Sequence, residues 1–195
     1  MVDDAAMTKG LWAEQPLGRT LFDGALSWPA MVLRRSALEH NIAAMAGYCG
    51  RNGLEHAPHG KTSMAPALWR RQLDAGAWGI TVATAYQARV AREAGVPRVL
   101  LANELLDPAA LRWAADEVAA GWEFLCYVDS LAGVDVLATA LAGRSLSVLV
   151  ELGFAGGRTG CRDLGSARAV AEAAAAVDGV TVAGVAGFEG MLAEP

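Results

Sequence analysis

Residues 98–152 read RVLLANELLDPAALRWAADEVAAGWEFLCYVDSLAGVDVLATALAGRSLSVLVEL. Three short apolar runs, 98–102, 123–128 and 146–152, are separated by two longer stretches of helical character. Continuous apolar runs of this length are the mark of strands buried on both faces of a parallel sheet. The first intervening stretch starts at Asp107-Pro108, an N-cap residue followed by proline at the first helical position, and stops at Gly121. The second is led by Ser130 and ends at Gly143. Strand, helix, strand, helix, strand is the unit of an α/β fold with right-handed crossovers.

The unit repeats in both directions. Upstream, 29–33 is extended, and Ser36 with Glu39 forms a capping box for a helix that stops near Asn52-Gly53. An extended segment at 56–60 follows, then a helix from Ser63 to Gly76, a strand at 79–83, and a helix capped by Thr84 that ends at Gly95. Downstream, a glycine-rich loop leads to a helix over about 166–177 and a sixth strand at 180–185. Residues 1–28 have mixed polarity and weak periodicity, and read as an N-terminal arm.

Six strand–helix units suit either an open doubly wound sheet or a (β/α)₈ barrel. Pattern alone leans toward the open sheet, because a full barrel takes about 250 residues. The end of the chain reverses that balance. Gly187-Phe188-Glu189-Gly190 has the character of a strand-end loop, and 191–195 leave no helix to cover the last strand. The expectation is therefore a partial (β/α)₈ TIM-type barrel over 29–195, truncated before strands seven and eight.

Composition narrows the function. A net charge of −5 with scattered arginines argues against nucleic acid, whose phosphates are bound by basic patches. The acidic start lacks an apolar signal segment, and the uncharged run 179–188 is far shorter than the roughly 20 residues of a membrane span. Cys49, Cys126 and Cys161 are widely spaced, read as free thiols, and offer no metal-ligand pair. A cytoplasmic protein with no metal among these residues and no membrane partner is the expectation.

Of the 16 basic residues only Lys9 and Lys61 are lysines. Arginine cannot replace lysine in Schiff-base chemistry, because the guanidinium stays protonated. In a parallel α/β sheet, ligands gather at the carboxyl ends of strands. Those positions hold His59, Lys61, Thr84, Asn103, Asp129, Arg158 and Glu189, of which Thr84 and Asp129 read as helix caps. The 56–60 segment is read as extended, so alternation puts His59 and Lys61 on one face, with the amine partly desolvated and activated. A phosphate-binding P-loop is excluded, since Glu55 stands where its first glycine is needed. The second cluster runs from Glu151 to Gly160, where glycines admit close approach to a ligand and Arg158 adds a cation.

Pro58-His59-Gly60-Lys61-Thr62 and Gly157-Arg158-Thr159-Gly160 resemble two motifs of the fold-type III pyridoxal-phosphate enzymes. The likeness is to the D-threonine aldolase, D-serine dehydratase and amino-acid deaminase group, relatives of the alanine racemase N-terminal domain. Leu101-Ala102-Asn103-Glu104 and Gly187-Phe188-Glu189-Gly190 fit the same group, although Ala57 and Phe188 stand where it commonly has arginine and tyrosine.

The resemblance implies a pyridoxal 5′-phosphate lyase acting on D-amino acids. By the same resemblance, Lys61 is the residue expected to form the aldimine, and His59, Arg158 and Asn103 are the expected cofactor contacts. It also implies that a full-length protein carries a C-terminal β-domain, has room for a divalent metal there, and forms a homodimer. The 195 residues alone are then expected to be inactive. Racemisation, or a non-catalytic pyridoxal-phosphate carrier barrel, are the alternatives.

Overall fold

The computed structural model describes residues 32–190 together with Phe22, Gly24 and Pro29. The arm expected over 1–28 therefore lies, apart from two residues, outside the described residues. The chain divides into two compact units, Met1–Ile80 and Thr81–Pro195.

The first unit contains helices α1 (Arg35–Asn52) and α2 (Pro66–Asp74). The capping box expected at Ser36 does not form. Helix α1 begins at Arg35, after an Arg34 N-cap that makes no side-chain bond. Its other end is as the sequence implied: Gly53 takes the left-handed conformation (φ 62°) and returns its N–H to the Cys49 carbonyl. Helix α2 starts three residues later than expected, with Pro66 in its first turn, and buries Trp69 completely. The 56–60 segment is not a strand. It has no regular structure except an isolated bridge at His59.

The second unit is built on a sheet of β1 (Ile80–Val82), β2 (Arg98–Glu104), β3 (Glu123–Val128), β4 (Leu146–Leu152) and β5 (Val180–Gly187). Between them lie helices α3 (Ala85–Glu93), α4 (Pro108–Ala119), α5 (Leu131–Leu141) and α6 (Leu164–Ala175). Spatial order follows chain order from β1 to β5, and β2 through β5 pair in parallel. A doubly wound sheet reverses its strand order at a switch point. This sheet does not, so it has the α/β topology of a barrel wall, with five strands among the described residues.

Caps read from the sequence are present at three helices. Thr84 accepts from Gln87 N–H, Asp107 from Ala109 and Ala110 N–H, and Ser130 from Gly133 N–H. Helix α6 starts earlier than expected, because Asp163 caps it through Ser166 N–H. Burial departs from expectation. In β3, Phe124, Cys126 and Val128 are buried while Leu125 and Tyr127 are only half-buried, so one face packs more completely than the other. The buried face meets the helices, with α6 on β4 and β5 and α4 against α5. Trp122 closes one end of this core by donating its indole N–H to the Val96 carbonyl at 2.9 Å and stacking near Trp113 and Phe124.

Candidate active site

In the first unit, the chain passes the His59 bridge and enters a tight turn over 61–63 that carries Lys61. Lys61 is thus the first residue of a turn rather than the end of a strand, and strand alternation does not place it beside His59. Proximity does. His59 is exposed, and what shielding it has, followed by the Lys61 ammonium, holds its imidazole below the usual histidine range. The Lys61 side chain is half-buried.

Gly60 lies between these two residues for a packing reason. A β-carbon there would stand 2.6 Å from both Ile80 Cγ2 and Trp69 Nε1. The turn closes by Met64 N–H donating to the Gly60 carbonyl at 2.9 Å. Among the buried side-chain nitrogens and oxygens of the described residues, Trp69 Nε1 is the one without a hydrogen-bond partner.

In the second unit, polar groups collect at the carboxyl ends of β2, β3 and β4. The β2–β3 register is irregular between Leu101 and Glu104, and Glu104 comes to pair with Tyr127. Such irregularities re-aim side chains at strand ends. Asn103 holds this one in place: its Oδ1 accepts Glu104 N–H at 3.0 Å and its Nδ2 donates to the Ala83 carbonyl at 3.4 Å. One amide proton and one lone pair of Asn103 remain for a ligand.

Asp129, read from sequence as a cap, is not one. Ser130 caps α5, and Asp129 Oδ2 accepts the backbone N–H of Gly160 at 2.9 Å. Glu151, 4% exposed, accepts from the Thr159 hydroxyl at 2.7 Å.

These two carboxylates clasp the loop that carries Arg158. Gly153 N–H donates to the Cys161 carbonyl, and Cys161 N–H to the Glu151 carbonyl, both at 2.8 Å. The two legs run so close that a β-carbon on Gly160 (φ 88°) would meet Gly153 N at 2.6 Å. From outside, Arg162 Nη1 donates to the carbonyls of Phe154, Gly157 and Thr159 at 3.0–3.3 Å. Arg158 itself is exposed, at the centre of this tied loop. Glu189 and Phe188 are exposed beyond β5.

Glu104, quoted in the sequence without a role, has the most altered acidity of these groups. It is half-buried and its carboxyl is pushed up to about 7. Burial is the largest cause. A hydrogen bond to Asp129 and the charges of Asp129 and Glu151 add to it, and the Ser130 hydroxyl opposes them. Two acids close enough to share a hydrogen bond cannot both ionise cheaply.

The first unit offers a half-buried amine at Lys61, with the His59 imidazole two residues before it; the second offers the exposed Arg158 guanidinium and the Asn103 amide with spare capacity. A family model described as alanine racemase, N-terminal domain, matches residues 33–195.

The chain belongs to the alanine racemase N-terminal domain family.

Its members are fold-type III pyridoxal-phosphate proteins, and relatives of this chain include lyases. D-threonine aldolase of Arthrobacter sp. is 30% identical over 84% of this chain and 44% of its own length. 3-Hydroxy-D-aspartate aldolase of Paracoccus denitrificans is 27% identical over 87% of this chain and 45% of its own length. Among solved structures, D-threonine aldolase from Filomicrobium marinum superposes with a TM-score of 0.75 at 30% identity, covering 82% of this chain and 43% of that one. Alanine racemase from Bacillus anthracis, 18% identical with a TM-score of 0.66, shares the fold. The chain spans less than half the length of the curated relatives it matches. Among the described residues no helix is long and apolar enough to cross a membrane, and no group of three acidic, histidine or cysteine side chains is arranged to hold a metal.

Proposed function

We propose that this chain is the cofactor-binding part of a pyridoxal-phosphate-dependent lyase acting on D-amino acids, with Lys61 as the covalent attachment point. The observation that carries the reading is the half-buried Lys61 turn, in which Gly60 is packed against Trp69 and the His59 imidazole is held below the ordinary histidine range. The names of the relatives, aldolases and a dehydratase of D-configured hydroxy-amino acids, support the substrate class.

When bound, pyridoxal phosphate draws electrons from the α-carbon of an amino acid. The protein's part is to bind and orient. Lys61 Nζ would hold the cofactor through its aldehyde carbon. His59, held below the ordinary histidine range and two residues before Lys61, would pack beside the ring or tune the amine. Arg158 supplies a fixed cation for a ring oxygen, and Asn103 offers its remaining N–H. Cleavage of a carbon–carbon bond or loss of the β-hydroxyl follows from which group the rest of the protein places near the α- and β-carbons. A divalent metal and a homodimer belong to the whole protein in this reading.

The test is an absorbance spectrum of the protein with pyridoxal phosphate, before and after borohydride, in wild type and Lys61→Ala. A visible band in the wild type that borohydride traps on Lys61 is the expected result. A band of equal strength in Lys61→Ala would overturn the assignment of the lysine, and no band in either would remove the cofactor from the reading.

A further inference from the structure

We propose that Glu104 is a positioning residue for Arg158: at the end of β2 beside Asp129, it donates to the carboxylate that, together with Glu151, holds the Arg158 loop in place. This rests on the reading of Arg158 as a cofactor contact.

Three adjacent strands each deliver a carboxyl group to one place: Glu104 ends β2, Asp129 follows β3, and Glu151 lies near the end of β4. They are not an empty cation site, because the protein uses them. Asp129 holds Gly160 N–H and, through its backbone carbonyl, the Cys161 thiol at 3.1 Å, while Glu151 holds the Thr159 hydroxyl. Residues 159–161 therefore hang on two carboxylates, and a third negative charge at Glu104 would repel both.

Glu104 is suited to carry a proton instead. Its Oε1 lies 3.6 Å from where a β-carbon would sit on Gly133, with Ser130 Oγ 3.1 Å from the same point, so its carboxyl reaches the start of α5 immediately after Asp129. The groups that act on it are Asp129 just after β3, Glu151 from β4 and Ser130 just before α5, and its backbone pairs with Tyr127 of β3. No cation is among the groups that act on Glu104. With the proton present, the Glu104 hydroxyl donates to Asp129 and the loop is held. When the proton leaves, a third charge faces Asp129 and Glu151, and the bond most exposed to that repulsion is Asp129 to Gly160, two residues from Arg158.

The test uses two readouts on the whole chain, wild type and Glu104→Gln, whose amide donates to Asp129 at every pH. The first needs no cofactor. Amide exchange of the segment 153–163, corrected for the intrinsic pH dependence, should lose roughly tenfold protection between pH 6 and 8.5 in wild type, the worth of one hydrogen bond to a charged group. In Glu104→Gln it should stay flat. The second is the dissociation constant for pyridoxal phosphate across the same range, which should weaken in wild type relative to Glu104→Gln.

A wild-type exchange curve without a step near neutrality would overturn the proposal even if the variant failed to fold. So would identical curves in both proteins. If exchange behaves as expected but no cofactor band forms at any pH, the proposed function fails while the role of Glu104 in holding the loop stands.

Discussion

Gly60 lies directly over the Trp69 indole, so closely that a β-carbon at position 60 would stand 2.6 Å from Trp69 Nε1. The glycine before the candidate lysine is thus required by packing beneath the turn, whatever binds above it.

Gly60→Ala should accordingly destabilise the chain by about 1–3 kcal/mol, the usual cost of forcing one carbon into a filled core. A lower thermal midpoint together with weaker pyridoxal-phosphate binding is expected, because the displaced turn carries Lys61. An unchanged midpoint would contradict the packing described.

Stability should fall as pH rises from about 4.5 to about 7. The folded Glu104 carboxyl titrates near 7 and an ordinary glutamate near 4.5, so between these values the folded chain keeps a proton that the unfolded chain has lost. A group raised on folding stabilises below its unfolded pKa, and that contribution is gone above its folded one. Glu104→Gln should flatten this part of a plot of denaturation midpoint against pH. A variant with the wild-type slope would point to other groups.

Asp107→Ala should cost about 0.5–2 kcal/mol, the range for loss of an N-cap. Asp107 Oδ1 accepts from Ala109 N–H at 2.8 Å and Ala110 N–H at 3.4 Å, and Pro108 has no N–H to compete. Asp107→Ser should recover most of the loss in a chemical denaturation series. If serine were as damaging as alanine, the cap would not be the cause.

Thiol labelling should order the cysteines. Cys126 is fully buried, and burial pushes its thiol up to about 12, so almost no thiolate forms at pH 8. Burial and the nearby Asp129 also raise Cys161. Cys49 is only half-buried, on α1. Iodoacetamide should modify Cys49 first and reach Cys126 only after denaturant is added, as read by peptide mass. Early labelling of Cys126 would mean that β3 opens locally.

Much of this was legible along the chain because it depends on near neighbours. Asp107-Pro108, Thr84 and Ser130 cap their helices through bonds two or three residues away, and Gly53 ends α1 within one turn. The alternation of apolar runs with capped helices implied an α/β fold, and the Lys61 and Arg158 motifs led to the family. Where local signals misled, a competing contact was responsible. Ser36 was a sound capping-box residue, but the helix had already begun at Arg35. The 56–60 run looked like a strand, yet only His59 finds a bridge.

Local signals along the chain set the order and kind of the elements from β1 onward, because hydrophobic period, caps and turn glycines act over a few residues. The sequence also carried the family's lysine and arginine motifs. Only the tertiary structure decided what Glu104, Asp129 and Glu151 do, since 25 and 22 positions separate them in turn and their meeting depends on strands pairing side by side. A carboxylate's acidity and its choice of partner are set by what surrounds it in space. Asp129 therefore looked like a cap in the chain and proves to be the acceptor for Gly160, 31 residues away.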